Sequence, residues 1–280
     1  MGHLRISAIS FLNTAPLMWD FEHGHVGRDF DIEYTIPSAC AAALAANQAD
    51  IGIIPAVTYA EIPGLVILPK IAIASKDYVR SILLISKKPL EDVQTVATDM
   101  SSRTSVALLQ VLFAKLFGTQ RKMTSHTPQL DAMLQNHDAA LLIGDAALQV
   151  EAERGLYLYD LAHEWRKLTG KPFVFAFWAV RLDALERGGK LNLTETFQRS
   201  RNHGTETRNL QAIAREWSPR LGLTEDEIIV YLTENIDYSL DRENHSGLQL
   251  FLRYCEELGL IPRVPELRFL SPVTFTALQK

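Results

Sequence analysis

Basic charge is in short supply. The 280 residues carry 28 Lys and Arg against 33 Asp and Glu, a formal net charge of -5. No basic run is interleaved with aromatics, which argues against a nucleic-acid partner. Cysteine is scarcer still. Cys40 and Cys255 have neither metal-ligand nor redox spacing and are expected as buried free thiols. Long apolar runs are missing too: no segment approaches the roughly 18 residues that a membrane span needs. Residues 1–10 enter strand pattern directly, without the apolar stretch and small-residue cleavage site of a signal peptide, so a cytoplasmic location is expected. The chain shows no repeat, Gly-rich phosphate loop, zinc-ligand spacing or nucleophile elbow. His23 and His25 read as the polar end of a helix, so no metal is expected.

What remains is an ordinary apolar fraction, 47%, in a chain long enough for two domains. Apolar runs and helical periods alternate. Strand pattern covers 4–9, and Asn13 or Thr14 can cap the helix that follows, with Pro16 in its first turn. A strand at 31–36 leads to an Ala-rich helix opened by Pro37 and Ser38. The run at 50–56 fits a strand buried on both faces. Strands at 65–68 and 71–74 flank Pro69, and a long strand is expected at 79–87. A second series of strands and helices occupies 95–168, followed by a long strand at 172–181 and helices to about 259. The expected organisation is an α/β domain of 1–85 plus 177–280, with helices at its C-terminal end. A second α/β domain, 86–176, is inserted through hinge strands 79–87 and 172–181.

The most informative stretch is Asp99-Met100-Ser101-Ser102-Arg103-Thr104-Ser105, between a short strand and a helix. A hydroxyl-rich turn at a helix start offers free N–H groups and the positive end of the dipole to an anion. It is equally the composition of a plain N-cap. Small polar residues recur at such junctions: Asn13, Ser38, Ser81, Ser102, Thr104, Ser105 and Gly144-Asp145. In a two-domain α/β fold they would line one cleft suited to a small carboxylated molecule. Arg80 and Arg103 could each fork onto a carboxylate or form a structural ion pair. Asp145 reads more readily as a cap for a helix at 146. No His, Cys or Glu stands in these motifs as a general base.

Six of these motifs occur together and in order along nearly the whole chain. They are Ser10-Phe11-Leu12-Asn13-Thr14-Ala15-Pro16-Leu17 with Pro37-Ser38, Asp50-Ile51-Gly52-Ile53-Ile54-Pro55, Val79-Arg80-Ser81-Ile82-Leu83-Leu84, Ser102-Arg103-Thr104-Ser105, Ile143-Gly144-Asp145-Ala146-Ala147-Leu148, and Pro172-Phe173-Val174-Phe175-Ala176-Phe177-Trp178-Ala179. The set resembles the chorismate dehydratase family of the futalosine route to menaquinone. The resemblance implies a type II periplasmic-binding-protein fold used as a cytoplasmic enzyme. It implies conversion of chorismate to 3-[(1-carboxyvinyl)oxy]benzoate and water with neither metal nor organic cofactor. It also implies that Thr104 and Ser105 contact substrate. A sibling enzyme of the route, acting on cyclic dehypoxanthinyl futalosine, carries a His base in an Ile-His-Glu stretch. That His falls on Gly144 here, which favours the dehydratase.

On that resemblance, one carboxylate of chorismate is expected near Ser38 and the other near Ser102, Thr104 and Ser105, with Arg80 or Arg103 helping. Asn13 and Ser81 are expected as the catalytic residues, orienting the leaving hydroxyl or the enolpyruvyl carboxylate, which would itself take the ring proton. The competing class is a plain small-carboxylate binding protein of the same fold. The oligomeric state is not legible.

Overall fold

The computed structural model describes residues 3–151, 155–185, 187 and 191–271. The chain starts with β1 (Leu4–Ile9), a 3-10 turn at Leu12–Thr14, and α1 (Ala15–His23). Then come β2 (Phe30–Thr35), α2 (Pro37–Ala45), β3 (Ile51–Pro55) and β4 (Leu65–Ser75). Crossing to a second sheet, it forms β5 (Ile82–Ser86), β6 (Thr95–Asp99), α3 (Thr104–Phe117), β7 (Lys122–His126) and α4 (Leu130–Gln135). That series ends with β8 (Ala139–Ile143), α5 (Gly144–Leu148) and β9 (Tyr157–Asp160). Through α6 (Leu161–Thr169) the chain returns as β10 (Phe173–Arg181). The rest is helical: α7 (Leu182–Leu185), α8 (Leu193–Gly204), α9 (Thr207–Leu221), α10 (Glu225–Val230) with a π-helical continuation at Tyr231–Asn235, and α11 (Arg242–Glu257). No helix of the described residues is long and apolar enough to cross a membrane.

The two sheets share one topology. The first has the order β2-β1-β3-β10-β4 and the second β7-β6-β8-β5-β9. In each, three strands run parallel, and a fourth, next to the crossing in sequence, lies antiparallel between the third and the fifth. Two sheets of this pattern leave the C-terminal ends of β1, β3, β6 and β8 facing one cleft, where ligands of open α/β sheets bind. β10 is buried from Phe173 to Val180. Its continuous apolar run is the pattern of a strand covered on both faces. Phe173 packs against Phe251 of α11, with ring centroids 4.8 Å apart.

The crossing differs from the expected hinge strands at 79–87 and 172–181. β5 lies wholly in the second sheet and β10 wholly in the first. The chain therefore crosses at 76–81 and 161–172, outside regular strand, and the second sheet's share of the chain begins before 86 and ends before 176. Asp160 ties the crossings together. One oxygen accepts from Ala162 N (3.0 Å) and His163 N (3.2 Å), capping α6. The other accepts from Val79 N (3.0 Å) and Arg80 N (2.6 Å). Arg80 is held at φ +61°, which ends the extended run that sequence pattern carries on through Ser81.

A carboxylate also fixes the first sheet. Asp50, fully buried, accepts from Arg5 Nε (3.1 Å), Arg5 Nη2 (2.8 Å), the Arg5 backbone N–H (2.9 Å) and Arg187 Nη2 (2.6 Å). Burial opposes ionisation, but the Arg5 and Arg187 bonds outweigh it and bring Asp50 from the usual 3.8 down to about 2. A carboxyl that is more acidic when folded stabilises above its unfolded value and loses that contribution as pH falls through the folded one. Asp50 should therefore supply about 2 kcal/mol at neutral pH that disappears between about pH 4 and 2. Asp138, held low by Lys88 and by the Gln94 and Thr95 N–H groups, works in the same direction. Thermal unfolding across this range should show the loss, and Asp50→Asn should flatten the curve. Cys40 and Cys255 are free and buried, and burial pushes each thiol up to about 12.

Candidate active site

Both sheets wall a cleft enclosing about 500 Å³ of non-atom space, open solvent at its mouth included. From the first sheet's side come Ile9, Phe11, Asn13, Pro55 and Phe175, and from the second Ile82, Ser102, Arg103, Thr104, Ser105 and Gly144. Val79 and Ser81 of the crossing line it as well. Apolar walls and a few convergent polar groups are the make-up of a small-molecule site.

The turn before α3 supplies the largest polar group. Asp99 shapes it by accepting from Ser101 N (2.9 Å) and Ser101 Oγ (2.7 Å). α3 starts at Thr104 with Arg103 at the N-cap and no side-chain cap. The hydroxyls are thus not spent on capping, and the first turn keeps its unpaired N–H groups toward the cleft. Ser102 Oγ is buried with no hydrogen-bond partner among the described residues. Thr104 Oγ1 accepts from Val57 N (3.3 Å) in the turn after β3, so it also bridges the two sheets. Arg103 lines the rim and pairs with Glu61 across the cleft at 3.0 Å.

Ser81 and Asn13 face the same space. The left-handed Arg80 turns the chain so that Ser81 lines the cleft. The Ser81 carbonyl accepts from Gly144 N (2.8 Å), and its hydroxyl is buried with no partner among the described residues. Asn13, in the turn after β1, is 9% exposed, and its oxygen accepts a long bond from Thr14 Oγ1 (3.4 Å). Asn13, Ser81, Ser102, Arg103, Thr104, Ser105 and Gly144 are therefore brought together as the sequence reading expects.

Three expected residues sit elsewhere. Ser38 lies in the first turn of α2, half-buried, and Pro37 lines the cleft in its place. Arg80 points to Glu227 of α10, 3.6 Å away, and is not among the lining residues. Asp145 does not cap a helix at 146. It lies inside the first turn of α5, and its Oδ1 accepts from Leu12 N (3.0 Å). Burial, only partly offset by that bond, pushes its carboxyl up to about 6. Asp145 is a link between the sheets rather than part of the lining. Phe11 and Asp160 were not legible as site residues.

Gly144 is at φ +59°, and a Cβ there would meet the Phe11 ring at 2.6 Å. This close approach across the cleft explains why a glycine stands here. Gly144→Ala should cost about 1–2 kcal/mol from the left-handed backbone alone and displace the Phe11 ring. Thermal unfolding would register the first effect and ligand affinity the second.

These features define a two-sheet binding-protein fold with its ligand cleft between the sheets, and solved structures agree. The periplasmic aliphatic sulphonate binding protein of Escherichia coli superposes with a TM-score of 0.64 at 17% identity, over 99% of this chain and 95% of that one. The alkanesulfonate-binding protein of Xanthomonas axonopodis pv. citri, bound to MOPS, gives 0.68 at 14%, over 96% of each. The sequence model of the family described as menaquinone biosynthesis matches residues 4–257, and the chain belongs to that family. A chorismate dehydratase of Thermus thermophilus is 27% identical over 89% of this chain and 93% of its own length. Another, of Campylobacter jejuni, is 25% identical over 58% of this chain and 69% of its own.

Proposed function

We propose that this protein is a cytoplasmic chorismate dehydratase, a hydro-lyase that converts chorismate to 3-[(1-carboxyvinyl)oxy]benzoate and water. The observation that carries this reading is the cleft's polar set in a chain of the menaquinone biosynthesis family. An amide, free hydroxyls and an uncapped helix N-terminus converge on one apolar-walled space.

In this reading the N-terminus of α3, with Ser102, Thr104 and Ser105, holds one carboxylate of chorismate, and Arg103 at the rim adds its charge. The ring proton next to the enol ether oxygen is vinylogous to the ring carboxylate. When it leaves, its electron pair delocalises toward that carboxylate, and donors on the carboxylate bind more tightly as charge develops. The lining consists of hydroxyls, one amide, one guanidinium, backbone and apolar side chains. The substrate's own enolpyruvyl carboxylate is then the group within reach to take the proton. The carbanion's pair next forms the new ring double bond as the neighbouring hydroxyl departs, taking a proton to leave as water, and the ring becomes aromatic. Asn13 and Ser81 orient the leaving hydroxyl. The crossings at 76–81 and 161–172 let the two halves close and exclude water.

Incubation of the purified protein with chorismate tests the reading. The expected product is one water lighter and has the ultraviolet spectrum of an aromatic acid. Chorismate recovered unchanged, with a thermal shift of the protein, would make it a binding protein for such acids instead.

A further inference from the structure

Tyr231 opens the π-helical segment that continues α10. Its side chain is completely buried, and its hydroxyl has no hydrogen-bond partner among the described residues. That hydroxyl lies near the side chains of Ser81 and Asn13 and is hydrogen-bonded to neither. Ser81 Oγ is itself buried and unpartnered. Two neighbouring buried hydroxyls left unpaired are costly unless something organises them. A single π-helical turn is rare and tends to mark functional positions.

The segment is fixed to the chain that carries Ser81. Asn235 Nδ2 donates to the Tyr78 carbonyl at 3.1 Å. Glu227 of α10 pairs with Arg80. Asp237 and Ala74 exchange backbone bonds of 2.8 and 2.9 Å. The segment is therefore tied to the crossing next to Ser81 by Asn235 and Glu227, and to β4 of the first sheet by Asp237.

We propose that Tyr231 is a positioning residue of this site. In the closed site its phenol O–H donates to Ser81 Oγ, so that the Ser81 O–H is aimed at the leaving hydroxyl of the substrate. Tyr231 thus acts through Ser81, the chain of hydrogen bonds running from phenol to serine to substrate. Burial keeps the phenol protonated well beyond neutral pH, which leaves it a donor throughout the working range. The proposal rests on the dehydration reading above.

Steady-state kinetics of Tyr231→Phe, Ser81→Ala and the double variant test it, with Tyr238→Phe as a control. Tyr238 is another buried phenol without a partner among the described residues, on the chain just after the π-helical segment. Tyr231→Phe should lower kcat about ten-fold, the worth of one hydrogen bond, with KM changed less than about two-fold. In the Ser81→Ala background the same change should cost less than about two-fold, and Tyr238→Phe should leave kcat within about two-fold of wild type. Both Phe variants should unfold at or above the wild-type temperature, since each removes an unpaired buried group. Wild-type kcat in Tyr231→Phe, an equal loss in both backgrounds, or an equal loss in Tyr238→Phe would overturn the proposal while the enzyme remains a dehydratase. A wild type that does not turn over chorismate would overturn the dehydration reading and this proposal with it.

Discussion

Asn13→Asp should lower kcat/KM for chorismate by about 10²–10³-fold, the usual cost of one preorganised donor at a developing charge. The substitution is nearly isosteric, so the cleft keeps its shape. What changes is the amide, a donor group in the space that Asn13 lines. An aspartate there donates nothing when ionised and places a negative charge against a substrate that already carries two. Because the cleft walls are largely apolar, that repulsion is poorly screened. The lost donor should lower kcat, while the repulsion should raise KM at neutral pH and fade on acidification as the new carboxyl protonates. A variant with raised activity and a new acid limb in its pH profile would mean that a base at position 13 helps, which contradicts the orienting role of Asn13.

Asp160→Ala should cost about 3 kcal/mol. The carboxylate accepts from four backbone N–H groups, two at the start of α6 and two at Val79 and Arg80. Loss of a helix cap is worth about 1 kcal/mol, and stranding buried donors about 1–3 kcal/mol more. The change also releases the left-handed backbone at Arg80 that presents Ser81 to the cleft. Stability in urea and kcat should therefore fall together. Asp160→Asn keeps an acceptor for the α6 cap and should lose less than half as much stability. If Asp160→Ala unfolds like wild type, the two crossings are not held by this side chain.

The stretch from β6 through α3 was legible because an apolar strand, a hydroxyl-rich turn and a clean helical period follow one another without ambiguity. The same holds for the Asn13 turn. The crossings were not legible, because periodicity identifies a strand but not the sheet it joins. Val79-Arg80-Ser81 reads as the start of β5, and only the left-handed Arg80, imposed by Asp160 from 80 residues away, ends the extended run. Pro69 looked like a break between two strands. β4 instead passes through it with an irregular register against β10 and Lys70 at φ +66°. Ser38 and Asp145 occupy the right junctions but do not line the cleft, and a junction alone does not fix the direction of a side chain. Tyr231 gave no local signal, since a buried tyrosine in a C-terminal helix is ordinary core until the fold brings it behind Ser81.

The central claim is that chorismate occupies the cleft between the two sheets. Backbone hydrogen exchange with and without chorismate tests it most directly, using a Ser81→Ala variant slowed enough to hold the substrate. Bound chorismate should slow exchange at residues 103–106, where unpaired N–H groups open α3, and at 79–82, while residues 207–221 of α9 stay unchanged. Protection confined to α9 or elsewhere outside the cleft, or none at saturating chorismate, would contradict the account.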